Sequence, residues 1–250
     1  VTLLLLAGTS DARRLAMRLA ETGLPAVASL AGATREHAAL ALPTRHGGFG
    51  GAEGFEAYLG AQRITAVIDA THPFATRITL RTHAICERRR LPHLRLERPG
   101  WNPGPGDRWT FVTDEAEAKA NIPDQATVFL ATGRQSLPAW GGIRARAYLR
   151  VIDPPTGPFP LPGGFVVARP PFDLEAEIEA FRALGITHLV VKDSGGAEGR
   201  AKLDAARALG LTVLVLRRPP GPAGLATVAS VEEALGWAQE LPFRSSSPSL

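Results

Sequence analysis

Sulfur and aromatic rings are scarce in this chain. Its 250 residues include one cysteine, one methionine and two tyrosines, and Phe, Trp and Tyr together make up 6%. A single thiol, Cys86, excludes an internal disulfide and a cysteine-built metal site. So few rings argue against a base-stacking surface for nucleic acid. Long apolar runs are missing too: the opening run, Val1 to Ala7, falls far short of the roughly 20 residues a membrane helix needs. That run has neither the charged leader nor the cleavage region of a secretory signal, so none is expected, although a start at Val1 leaves room for a trimmed segment; the single cysteine fits a reducing cytoplasm. Lysine is nearly absent, leaving arginine to supply most of the 28 basic residues and the net charge of +4. Arginine is the better fork for carboxylate and phosphate, but a chain-wide bias gives the same count without any binding role. Arg88, Arg89 and Arg90 close an expected helix and oppose the negative end of its dipole, which reads as a solvated helix end.

With 45% hydrophobic residues, the chain has the material for a buried core. Thr2 to Ala7 is a continuous apolar run of the kind buried on both faces of a parallel sheet. Gly8-Thr9-Ser10-Asp11 breaks it, and Ala12, Leu15, Ala16, Leu19 and Ala20 then repeat at helical spacing until Gly23. Pro25 to Leu30 reads as the next strand, which makes a right-handed strand, helix, strand unit. The alternation continues with an extended piece at 44–46, a helix at 52–61, a strand at 64–69, a helix at 74–90 and a strand at 93–96. Three prolines and three glycines between Arg98 and Asp107 mark a connection between halves. The second half repeats the pattern, with strands at 127–131, 146–152, 188–192 and 212–216 and helices at 115–121, 174–184, 198–209 and 230–240. Pro154 to Pro171, with seven prolines, is expected to be an irregular crossing. This predicts an α/β protein of two domains, residues 1–105 and 106–243, followed by a flexible tail at 244–250.

Ligands of open parallel sheets bind beyond the carboxyl ends of the strands, so the loops there are the candidate sites. Gly8 to Arg13 opens the first helix, where amides and the helix dipole favour a phosphate; a plain helix cap would use the same residues. After the second strand, NAD-selective sheets carry an acid that holds the ribose hydroxyls. Here the strand ends at Ser29 and the next polar residues are Thr34 and Arg35, a set that suits the ribose phosphate of NADP. Asp69-Ala70-Thr71-His72-Pro73-Phe74-Ala75 ends the third clear strand. It brings His72 within reach of a ligand, while Asp69 is either part of the site or a buried polar group satisfied by loop amides. Lys192-Asp193-Ser194-Gly195-Gly196 follows a strand of the second half and leads to Arg200 and Lys202. It offers positive charge and close backbone approach, or else only a flexible turn. Loops so placed in two halves are expected to face one another across a cleft.

Taken in order and at this length, Gly8-Thr9-Ser10-Asp11-Ala12-Arg13, Asp69-Ala70-Thr71-His72-Pro73-Phe74-Ala75, Thr132-Gly133-Arg134 and Lys192-Asp193-Ser194-Gly195-Gly196 resemble the precorrin-6A reductase family of cobalamin biosynthesis. The likeness spans essentially the whole chain; each motif is weak alone, and four in register are specific. The resemblance implies two Rossmann-like parallel-sheet domains with an interdomain cleft. It also implies NADPH-dependent reduction of a double bond in the precorrin-6A macrocycle to give precorrin-6B (precorrin-6Y). Carried over by position, Gly8, Thr9, Ser10, Asp11, Ala12, Arg13, Thr71, His72 and Pro73 contact the coenzyme, and Thr132, Gly133 and Arg134 line the same cleft. Lys192, Ser194, Gly195, Gly196, Arg200 and Lys202 face the anionic tetrapyrrole, whose carboxylates a basic rim would bind. His72, Asp193 and ordered water are the candidate proton sources. No metal is implied, and a monomer is expected, with neither nucleic acid nor membrane as partner. The rival from another class is a non-enzymatic two-domain sensor of a small anion or nucleotide, which would bind without turnover. If Arg35 meets the ribose phosphate, Arg35→Ala weakens NADPH binding far more than NADH binding in a titration; equal losses would remove that assignment.

Overall fold

Strands that are apolar along their whole length stay in register only when helices cover both faces of their sheet. Residues 2–31, 39–169 and 171–241, those the computed structural model describes, meet this condition twice. The first unit opens with β1 (Thr2–Leu6), α1 (Ser10–Thr22), β2 (Ala26–Leu30), β3 (Thr44–His46), α2 (Ala52–Ala61), β4 (Ile64–Asp69), α3 (Thr76–Arg89) and β5 (His93–Leu96). The second holds β6 (Trp109–Val112), α4 (Glu115–Ala120), β7 (Thr127–Ala131), β8 (Arg146–Val151), β9 (Gly163–Val167), α5 (Leu174–Ala183), β10 (His188–Lys192), α6 (Ala201–Leu209) and β11 (Thr212–Leu216). The chain then returns to the first unit for β12 (Ala226–Val228) and α7 (Val231–Glu240).

Both sheets are six-stranded and parallel, with orders β3-β2-β1-β4-β5-β12 and β9-β8-β7-β10-β11-β6. They share one doubly wound order, 3-2-1-4-5-6. Its sixth place is taken in the first unit by a strand from after the crossing and in the second by the strand that enters it. In each sheet the winding reverses at one pair, β1/β4 or β7/β10, and the crevice beyond those carboxyl ends is where such folds bind ligands.

The expected domain boundaries, 1–105 and 106–243, differ from these units, because the second unit runs only from Pro99 to Arg218. The last helix belongs to the first unit: Val231, Ala234, Leu235 and Ala238 are buried in one core cluster with Ala12, Leu15, Ala16 and Leu19 of α1. The Glu97 amide donates to the Val228 carbonyl (2.9 Å) and joins β12 to the end of β5. An amphipathic pattern shows that a helix covers a sheet without showing which sheet. The tail at 244–250 lies outside the described residues. Within the proline-rich stretch expected to be irregular, Gly163–Val167 forms the edge strand β9, where prolines on either side do not interrupt the ladder.

His93 at the start of β5 faces His83 of α3, their rings 5.7 Å apart, and among the described residues both of its buried ring nitrogens lack a hydrogen-bond partner. Burial pushes its pKa down from 6.5 to about 4, with Asp69 opposing and His83 and Arg95 adding. Between those values the unfolded chain takes a proton that the folded chain refuses, so the stability from neutral His93 is complete above pH 6.5 and lost as pH falls toward 4. In thermal unfolding across that window, His93→Phe is expected to flatten the fall; an unchanged slope would contradict this.

Candidate functional site

At the first reversal, the loops after β1 and β4 are tied together. Thr9 caps α1, its Oγ1 accepting from the Ala12 amide (3.1 Å) and donating to the Ala70 carbonyl (2.8 Å). Gly8 takes φ +151°, and a Cβ built there would meet no atom within 4 Å, so the backbone lies open to close approach by a ligand. The remaining first-turn amides of α1 have no partner inside the helix, and its dipole favours an anion. Two of the expected coenzyme contacts turn inward instead. Ala12 is fully buried with its amide given to Thr9, and Asp11 pairs with Arg14 and with Arg98 (2.8 Å), which also donates to Ser10 Oγ (3.1 Å). Arg13 stays exposed on the first turn.

Asp69, the last residue of β4, has no exposure and four hydrogen bonds. Oδ1 accepts from the amide (3.0 Å) and hydroxyl (2.6 Å) of Thr71; Oδ2 accepts from Thr79 Oγ1 (2.6 Å) and Arg95 Nη1 (2.8 Å). Of the alternatives the sequence left open, the satisfied buried group is the one found. Its effect is to fix the turn that carries His72. The Phe74 amide donates to His72 Nδ1 (3.2 Å), so the neutral ring holds its proton on Nε2.

A cavity of about 420 Å³ opens at this reversal, lined by Gly8, Ser29, Phe49, Thr71, His72 and Arg81 among others. Part of its wall was missed from the sequence: Gly47, Gly48, Gly50 and Gly51 surround Phe49 in a loop that follows a strand and opens α2. That strand-glycine-helix spacing was the available signal. Arg45 of β3 holds the loop, donating to Ser29 Oγ (2.8 Å) and to the carbonyls of Gly47 (2.8 Å) and Gly48 (3.0 Å), with its guanidinium 4.0 Å from the Phe49 ring centre. Thr34 and Arg35 lie outside the described residues.

Thr132, Gly133 and Arg134 follow β7, so they sit at the second unit's reversal with the loop after β10 and not on the sheet that carries Gly8. Thr132 is buried against Ser136 (Oγ1 to Oγ 2.6 Å), and exposed Arg134 donates to the Asp153 carbonyl (2.7 Å). Lys192 is half-buried, which lowers its pKa against the opposing pull of Glu115.

The Asp193 carboxylate accepts from the Trp101 amide (2.9 Å) and faces Arg218 (3.7 Å), whose Nε donates to the Asp193 carbonyl (2.8 Å). Asp193 therefore fastens the segments by which the chain enters and leaves this unit. Gly195 serves the same junction: at φ +65°, a Cβ would come within 2.2 Å of the Pro99 carbonyl oxygen. The Gly196 carbonyl accepts from Trp101 Nε1 (2.8 Å). Trp101, which sequence reasoning passed over as part of a connection, is the buried post around which the loop wraps.

Two expected rim cations are spent inside the unit. Arg200 pairs with Asp204 (3.0 Å) and approaches Asp107 (3.8 Å). Lys202 donates to the Gly199 carbonyl (2.9 Å) over the Trp101 ring. Burial pushes its pKa down to about 8, against Glu177 and with Arg150.

Strand order, reversal and cavity make the first unit a Rossmann-type domain of the kind that binds nicotinamide dinucleotides. The family described as precorrin-6x reductase CbiJ/CobK matches residues 2–239. The chain is 45% identical over 203 residues to a precorrin-6A reductase of Rhodobacter capsulatus, covering 80% of this chain and 81% of that one. It is 43% identical over 245 residues to one of Rhodococcus erythropolis, covering 97% and 99%. A solved structure of CobK precorrin-6A reductase, 44% identical, aligns with a TM-score of 0.90 over 96% of each chain. The protein belongs to the precorrin-6x reductase family. Among the described residues, no helix is long and apolar enough to cross a membrane, and no cluster of His, Cys, Asp and Glu is placed to hold a metal ion.

Removing the Asp69 carboxylate strands the 4%-exposed Arg95 beside Glu97, which accepts from Arg95 Nε (2.8 Å). Asp69→Ala is expected to cost about 3–5 kcal/mol in urea unfolding. A loss below about 1 kcal/mol would mean that Glu97 alone suffices for Arg95.

Proposed function

We propose that this protein reduces one double bond of the precorrin-6A macrocycle with NADPH, yielding precorrin-6B, with the coenzyme on the first unit and the macrocycle against the second. The observation that carries the reading is a match to the family along nearly the whole chain, joined to a doubly wound sheet with a cavity at its reversal. The residues suit the coenzyme on physical grounds. Gly8 leaves open the space a side chain would fill, α1 presents its amino end beside Gly8, and Arg81 keeps a buried Nε without a partner among the described residues.

The coenzyme, when bound, supplies the hydride. The protein's task is to bind, orient and protonate. Amides at Gly8, Thr9 and Ser10 receive the pyrophosphate, and Ser29 with the Phe49 loop receives the adenosine half. His72, its Nδ1 occupied by the Phe74 amide, holds its proton on Nε2 on the wall of the same cavity, and it is the side chain proposed to deliver the proton that must reach the carbon next to the reduced one. Asp193 is proposed as a positioning residue, because its carboxylate is engaged by Trp101 and Arg218. Lys192 and Arg134, at the strand ends of the second unit, are the cations proposed for the substrate's carboxylates.

Loss of NADPH absorbance in step with conversion of precorrin-6A is the expected result, and coenzyme binding without turnover would contradict it in favour of a sensor. In single-turnover reduction, His72→Asn is expected to slow the step by roughly 10²-fold or more without abolishing NADPH binding. An unchanged rate would exclude His72 as the donor.

A further inference from the structure

Arg81 projects from α3 into the wall of the 420 Å³ cavity, where its charge is unanswered. Its Nε is buried with no hydrogen-bond partner, and among the described residues no carboxylate pairs with it. Among the described residues it meets aromatic rings and a like charge: the guanidinium lies 5.9 Å from the Phe49 ring centre and 5.4 Å from that of Phe55, and Arg45 stands over Phe49 at 4.0 Å. Burial, followed by the charge of Arg77, lowers the Arg81 pKa. A partly desolvated cation with no counter-ion is unfavourable in the free protein, and an anion entering the cavity would relieve it.

The chemistry of that anion follows from the place. Where NAD-selective sheets end their second strand with an acid for the ribose hydroxyls, this chain has Ser29, already taken as an acceptor by Arg45. Arg45 is held rigid by Ser29 and two loop carbonyls. Among the described residues that line the cavity there is no carboxylate to repel a phosphate, and Arg81 is the arginine on it. A phosphate monoester carries about −1.5 to −2 charges near pH 7 and three acceptor oxygens, which suit a forked guanidinium.

We propose that Arg81, beside Phe49 on the cavity wall, is the receptor for the phosphate monoester on the adenosine ribose and so sets the preference for NADPH over NADH. This rests on the reading that the cavity takes the coenzyme's adenosine half.

Titration calorimetry with NADPH, NADH and adenosine 2′,5′-bisphosphate on the full chain and its variants tests the assignment. Arg81→Met is expected to lower affinity for NADPH and for the bisphosphate tenfold or more, while NADH affinity moves less than about threefold. Arg81→Lys, which keeps the charge and loses the fork, should retain part of the preference. The ligand-free Arg81→Met protein should unfold at a temperature close to the parent's, because Arg81 is half-buried and makes no ion pair among the described residues. Equal losses of NADPH and NADH would overturn the proposal, as would undiminished discrimination in Arg81→Met alongside its abolition in Arg35→Ala. A parent protein that binds neither coenzyme would instead overturn the functional reading beneath it.

Discussion

A carboxylate with no access to water must be answered by hydrogen bonds and an opposite charge, and Asp69 is answered by Thr71, Thr79 and Arg95 at 2.6 to 3.0 Å. Each partner comes from a different place: the turn after β4, the helix α3 and the neighbouring strand β5. One buried ion therefore determines where β4 ends, how α3 departs and where His72 is held. The next residue, Ala70, accepts the Thr9 hydroxyl, which carries the same constraint to β1 and the start of α1. The second unit uses an aspartate at the corresponding strand. Asp193 follows β10, the fourth place of its sheet, and holds the Trp101 amide and Arg218 where the chain crosses in and out.

The arginine bias is explained in large part by this internal use. Arg95 and Arg150 are mostly buried and paired, Arg150 with both Glu177 oxygens at 2.5 and 2.8 Å, and Arg98 clasps the start of α1. A planar fork satisfies two acceptors at fixed geometry, which an ammonium does not. Against that background, an arginine that lines a cavity without a carboxylate is the exception to be explained, and Arg81 is that exception.

Much of the fold was legible because its strands are uninterrupted apolar runs bounded by Gly, Pro and Asp. Strands β4, β5, β7, β10 and β11 fall where the sequence placed them. The elements that escaped, β6, β9 and β12, are edge strands, two of them beside prolines, where half of the burial that marks a strand is missing. The return of α7 to the first sheet could not be read, since a local pattern carries no address. For the site, Gly8, Ser29 and His72 of the cavity wall, with Thr9 capping α1, were named from their positions after strands. Arg45, Arg81 and the Phe49 loop were not, because their meeting depends on β3 and α3 being brought to one cavity. The same limit explains why Ala12, Arg200 and Lys202 were placed at a ligand: spacing shows which residues lie near a strand end, but not which way they turn.

In the proposed function, coenzyme binds the first unit at its β1/β4 reversal. A crystal grown with saturating NADP is predicted to show electron density for the pyrophosphate over Gly8 and the amino end of α1, with the adenine near Phe49. Density confined to the loops after β7 and β10, or none beside Gly8, would contradict it.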